Sequence, residues 1–174
     1  MISLARRRIA LATAFGCLLG LSPLAVDAQE RPEKSPSTRT QKKSKSSQAK
    51  AEKVHKIAIQ VADNNPQLMN LALNNAANIV AHYKKLGDKV IVEVVTFGPG
   101  LHMLRDDTSP VKQRIQQSAL ETPEITFAAC ANTQANMARQ EGKEITLLSE
   151  AKMTPSGVVR LAELQGQGYA YIRP

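Results

Sequence analysis

From Ile57 onward the chain alternates between two hydrophobic rhythms. Ile57, Ala58, Ile59, Val61 and Ala62 form a short, nearly continuous apolar run, the pattern of a strand buried on both faces. Asp63-Asn64-Asn65-Pro66 ends it; Pro66 suits the first turn of a helix and Asn65 its cap. Met69, Ala72, Leu73, Ala76, Ile79, Val80, Tyr83 and Leu86 then recur with a 3.6-residue period, which predicts a helix closed by Gly87.

The same alternation repeats down the chain. Residues 90–97 read as a second strand, broken by Gly98-Pro99-Gly100 and followed by a weaker helical stretch divided near Ser109-Pro110. "EITFAAC" reads as strand three, running into a short helix over "NTQANMARQ". "EITLL" (144–148) reads as strand four. "SGVVRLAELQGQG" reads as a helix with Val158, Val159, Leu161, Ala162 and Leu164 inward, and "YAYI" as strand five. Five strands separated by helices predict an α/β fold with a mainly parallel five-stranded sheet and helices on both faces. In such sheets the working site lies beyond the carboxyl ends of the strands, at a topological switch point. That rule nominates Asp63-Asn64-Asn65, Gly98-Pro99-Gly100 with His102, Cys130-Ala131-Asn132, and Thr154-Pro155-Ser156-Gly157.

The front of the chain follows neither rhythm. Residues 1–28 combine Arg6-Arg7-Arg8, an apolar run from Ile9 to Val26 and small residues up to Ala28, which predicts an export signal cleaved before Gln29. An uncleaved N-terminal anchor is the alternative, because the run approaches the length of a membrane span. Cleavage would leave a mature form that does not span the membrane, in the periplasm or outside the cell. Residues 29–55 are rich in Ser, Lys, Gln and Pro and read as a disordered basic linker, either a spacer or a tether to anionic polymer. Residues 56–174 are left as one domain.

Charge then removes one class of function. The chain carries +8 overall, yet residues 57–174 hold eleven Lys/Arg against eleven Asp/Glu, so the excess belongs to the signal and linker. Nucleic acid is not an expected partner of a neutral domain with few aromatic residues.

Cys130 is the one cysteine beyond the export signal. It stands where strand three meets a helix. Helix-terminal N–H groups would favour its thiolate, and a small apolar residue closing a strand is the other reading. No second cysteine is present to resolve a disulfide. His55, His82 and His102 do not give metal-ligand spacing with it, so neither a metal nor a cofactor is expected. His102 follows the strand-two rim, as a base near Cys130 or a solvated side chain. Gly98-Pro99-Gly100 lacks the lysine and hydroxyl of a phosphate loop and reads as a tight turn that admits close backbone approach. Asn75 and Asn78 lie three apart on the first helix, placed for contacts to a loop or a neighbouring subunit.

The stretches "LALNNAANI", "VEVVTFGPGLHML", "ITFAACANT" and "TPSGVVRLAELQGQGYAYIRP", in this order and spacing, resemble the DsrE/DsrF-like sulfur-relay family. The resemblance runs from Lys56 to Pro174. It implies a three-layer flavodoxin-like fold, assembly into homo-oligomers (trimers or hexamers), and partner proteins that donate or accept sulfur. Some members carry sulfur as a persulfide on a cysteine at the end of the third strand, where Cys130 stands. On that reading Cys130 accepts sulfane sulfur, and Asn132 with the Gly98-Pro99-Gly100 turn and His102 shapes its pocket. The reading from another class is an oligomeric module that holds a small ligand without turnover.

Overall fold

A computed structural model describes residues 53–174. The expected export signal and residues 29–52 of the linker lie outside the described residues. The chain runs β1 (Val54–Val61), α1 (Pro66–Lys85), β2 (Lys89–Thr96), a 3-10 helix (Gly98–Leu104), α2 (Lys112–Glu121), β3 (Ile125–Cys130), α3 (Ala131–Glu141), β4 (Ala151–Thr154), α4 (Gly157–Gly166) and β5 (Ala170–Ile172). All four strand pairings are parallel, in the order β4-β3-β2-β1-β5. This is the α/β, flavodoxin-like arrangement that the alternating pattern and the resemblance lead one to expect.

The strand order dictates the layers. From β1 to β4 the chain steps one way across the sheet, so right-handed crossovers put α1, the 3-10 helix, α2 and α3 on one face. The return from β4 to β5 steps the other way and puts α4 alone on the opposite face. The packing follows suit. Ile57, Ile59, Val92, Val94 and Phe127 join Met69, Leu73, Val80, Leu101 and Ile115 in the main core. The alternate positions Ala58, Val95 and Ala128 form a smaller cluster with Leu161 and Leu164 of α4, flanked by Phe97 and Tyr169. Asn65 caps α1 as expected, its Oδ1 accepting from the amides of Gln67 (2.8 Å) and Leu68 (3.3 Å).

Three expectations are corrected. First, β1 takes in Val54 and His55, because Val54 pairs with Lys89 while the His55 ring stacks on Tyr83 at 3.7 Å and meets Asp88 at 3.0 Å. Second, "EITLL" is not a strand. Ile145 and Leu148 are buried, but the segment's main chain makes only an isolated antiparallel bridge at the exit of the 3-10 helix: Leu148 N–H donates to Leu104 O, and Thr146 O accepts from Asp106 N–H, each at 2.9 Å. The true β4 is "AKMT", an edge strand only part-buried, which leaves no apolar run to read. Third, Val158 and Val159 of α4 face outward, 60% and 51% exposed, and Ala162 is exposed too. A single helix crossing a whole sheet face buries one narrow stripe, and Leu161 and Leu164 take it. Among the described residues no helix is long and apolar enough to cross a membrane.

Candidate functional site

The topology singles out one crevice. Strands β3 and β4 are neighbours, yet α3 leaves β3 toward one face and α4 leaves β4 toward the other. The switch point therefore lies between their carboxyl ends, where ligands enter open α/β sheets. Cys130 is the last residue of β3 and the N-cap of α3, in register with Thr154, the last residue of β4.

The thiol is only 4% exposed, but neither apolar cluster includes it. Its surroundings are hydrogen-bond donors. The amide of Thr133 donates to Sγ at 3.4 Å. Burial pushes the thiol up; against it act the Thr133 hydroxyl and then the amides of Gly157, Thr133 and Asn132, and together they hold the thiol below its ordinary value. These amides come from the first turns of two helices, α3 and α4, so both positive helix ends face one sulfur.

The two helices approach because their starts are small or tightly held. A Cβ on Gly157 would lie 2.8 Å from the Cβ of Phe97 and 2.9 Å from its Cδ1. Alanine at this position is expected to move the α4 terminus off the sulfur and to raise the midpoint of Cys130 alkylation against pH by about half a pH unit. An unchanged midpoint would show that the Gly157 amide contributes nothing to the thiol.

Of the other nominated residues, Gly98 stands at φ 52° and donates its amide to Thr133 Oγ1 at 3.0 Å. Gly100 is buried against the main chain of Val61, the close approach expected of this turn. Asn132 supplies its amide, which also donates to Pro155 O at 3.3 Å, while the residue itself is exposed. Pro99 and His102 line a groove of about 430 Å³ between the 3-10 helix and α3, together with Thr133, Met137 and Glu141. His102 Nδ1 lies 2.8 Å from Thr108 Oγ1, and no contact joins it to Cys130. Asn75 and Asn78 lie well down α1 from the rim; the asparagines of that helix with inter-element contacts are Asn70 and Asn74, both bound to Arg114.

Thr133 was the residue sequence reasoning missed. Gly157 lay within a nominated rim segment. Thr133 had a weaker signal, a hydroxyl three residues after a helix cap, where it is one turn from the capping atom.

No family model matches the chain, and no curated protein does either. Among solved structures, a protein of unknown function from Methanobacterium thermoautotrophicum is similar, with a TM-score of 0.58 and 27% identity over 69% of this chain and 99% of that one. The matched share is close to that of the described domain, and it supports the flavodoxin-like fold.

Proposed function

We propose that the chain is an exported, DsrE-like sulfur carrier that accepts sulfane sulfur on Cys130. The observation that carries this reading is the place of Sγ: a thiol at the topological switch point, capped by the Thr133 amide at 3.4 Å where the first turns of α3 and α4 meet. Such surroundings favour the thiolate, the form that attacks a sulfane sulfur. In the uptake step, Cys130 thiolate attacks the outer sulfur of a donor persulfide, R–S–SH. A new S–S bond forms on Cys130, the donor's S–S bond breaks, and its electron pair leaves on R–S⁻. The proton stays on the transferred sulfur, and discharge to an acceptor thiolate reverses the roles.

Assembly belongs to the same proposal. The sparsely covered α4 face, with Val158 and Val159 exposed, supports a homo-oligomer, and the resemblance implies a trimer or hexamer. The burial of Cys130 favours a second reading, an oligomeric module that binds a small ligand in the neighbouring groove without turnover.

The test is the intact mass of the Cys17→Ser chain, with and without Cys130→Ser, after exposure to a persulfide donor. One added sulfur on the chain that keeps Cys130, removed by reductant and absent from the Cys130→Ser chain, is the expected result. No added sulfur, with a thiol alkylated only after unfolding, would overturn the carrier reading in favour of the binding module. The native mass of the same samples counts the subunits.

A further inference from the structure

Glu93 interrupts the valines of β2, and it is the one buried carboxylate among the described residues, 8% exposed. A charge on a central strand is costly unless it is paired. Arg160 of α4 meets it fork on fork: Nε donates to Oε1 at 2.7 Å and Nη2 to Oε2 at 2.8 Å. An apolar pair would hold helix to sheet about as well. Stability therefore does not account for these charges, and the space beside them does.

The strand register sets Glu93 next to Thr126, and Ala128 next to Lys152, on the face of the sheet that α4 covers. Helix α4 packs on β1, β2, β3 and β5 and leaves the β4 side of that face open. The opening is a cavity of about 350 Å³, with Glu93, Arg160 and Glu163 on one side, Lys152 and Thr154 on the other and Thr126 between them. Small-molecule sites occupy about 300–1,000 Å³. Among the described residues, the Lys152 ammonium and the Thr154 hydroxyl have no hydrogen-bond or ionic partner. Glu163 lies 3.6 Å from Arg160 Nη1, beyond hydrogen-bond reach, so its carboxylate keeps acceptor capacity. Glu93 and Arg160 neutralise each other. What remains is a free cation facing an underused anion across the cavity.

We propose that this cavity binds a small zwitterion of the α-amino-acid class, its carboxylate on Lys152 and the Thr154 hydroxyl and its ammonium on Glu163. A simple anion would be drawn to Lys152 and repelled by Glu163, and a simple cation would meet the reverse. Only a ligand carrying both charges uses the whole site. Glu93 has a positioning part: by holding the Arg160 fork it keeps that guanidinium from closing fully on Glu163. The cavity reaches the rim at Thr154, the register partner of Cys130, but its binding chemistry involves no sulfur and goes beyond the carrier reading.

The experiment is calorimetric titration of the Cys17→Ser chain with each common α-amino acid, then with the N-acetyl and methyl-ester forms of the tightest. Binding is expected, and loss of either ligand charge is expected to weaken it about tenfold or more, as befits a hydrogen bond between charged groups. Lys152→Met is expected to weaken the amino acid as much as esterification does, with the ester losing nothing further in that variant. Glu163→Gln pairs with the N-acetyl form in the same way. Both side chains are exposed, so neither substitution touches the core. Absence of binding by every amino acid would overturn the proposal. So would blocked forms that bind as tightly as the parent, or binding that both variants leave unchanged. The heats are read without sulfur transfer, so failure here leaves the carrier reading intact, and failure of sulfur uptake leaves this site intact.

Discussion

Gly100→Ala is expected to lower the melting temperature by about 10 °C or more, the largest effect of alanine at any of the described glycines. The added Cβ would lie 2.2 Å from the carbonyl oxygen of Val61, 2.6 Å from its carbon and 2.8 Å from the nitrogen of Ala62. All three are main-chain atoms at the end of β1, so no rotamer change relieves the overlap. One of two backbones must move, and both are committed. Val61 pairs with Thr96 in the ladder, and its carbonyl accepts the Phe97 amide at 3.3 Å. Overpacking of this kind costs about 1–3 kcal/mol where side chains can adjust and more where they cannot. Gly142→Ala is the control. Gly142 closes α3 at φ 63° with nothing within 4 Å of its Cβ position, so alanine there meets only the left-handed penalty of about 1 kcal/mol. Thermal melts of the two variants separate overlap from backbone conformation, and equal losses would refute the overlap argument. Displacement of the turn would also draw the Gly98 amide away from Thr133, so the Gly100 variant is expected to raise the Cys130 midpoint while Gly142→Ala leaves it in place.

The parts of this fold legible in the sequence are those whose burial is two-sided or periodic. Strands β1 and β2 are central and apolar on both faces, and α1 buries one long stripe with a side-chain cap at Asn65, so pattern and capping agree. The edge of the sheet obeys a different rule. Strand β4 needs few apolar residues because one side of it has no neighbour, while the preceding Ile145 and Leu148 fill the space beside the 3-10 helix in irregular backbone. A hydrophobic scan therefore shifts the strand by several residues. The outward valines of α4 misled for a related reason: periodicity shows that a helix has an apolar face, but not that the chain itself supplies a surface for all of it. At the site, Cys130 and the Gly98 turn were legible because strand ends announce themselves. Thr133 and the Gly157 amide were not, since their roles depend on where α3 and α4 begin relative to each other.

Arg105→Ala is expected to lower the melting temperature by about 8 °C and to raise the pH midpoint of Cys130 alkylation, although Arg105 is remote in sequence from Cys130. Its side chain is 1% exposed. Nε and Nη2 donate to Asp107 at 2.9 and 2.8 Å, Nη2 also donates to Glu141 at 2.9 Å, and Nη1 pairs with the other oxygen of Glu141. Lysine cannot reproduce this planar fork, so Arg105→Lys recovers only part of the loss. The connection to the site runs through α3, none of whose residues is fully buried. Polar anchors hold the helix instead: Arg105 on Glu141 at its end, Gln134 Nε2 on Ile145 O at 2.7 Å, and Gly98 on Thr133 at its start. Without Arg105 the helix loses its far anchor, and the amides at its start sample more orientations around the sulfur.

Acid provides the independent check. The Arg105 guanidinium, then Lys143, holds the Asp107 carboxyl well below the usual carboxylate range, and Arg105 likewise lowers Glu141. A carboxyl whose folded pKa is depressed stabilises the fold fully above its unfolded value, about 4, and loses that contribution as pH falls toward the folded one. The wild-type chain is therefore expected to lose stability below about pH 4, and Arg105→Ala to have a flatter acid limb. Urea midpoints at neutral and acid pH measure the difference between the two chains. A gap that narrows in acid confirms the ion network as the anchor of α3, whereas a constant gap would assign the loss to packing around the arginine stem and leave the carboxylates without a part in it.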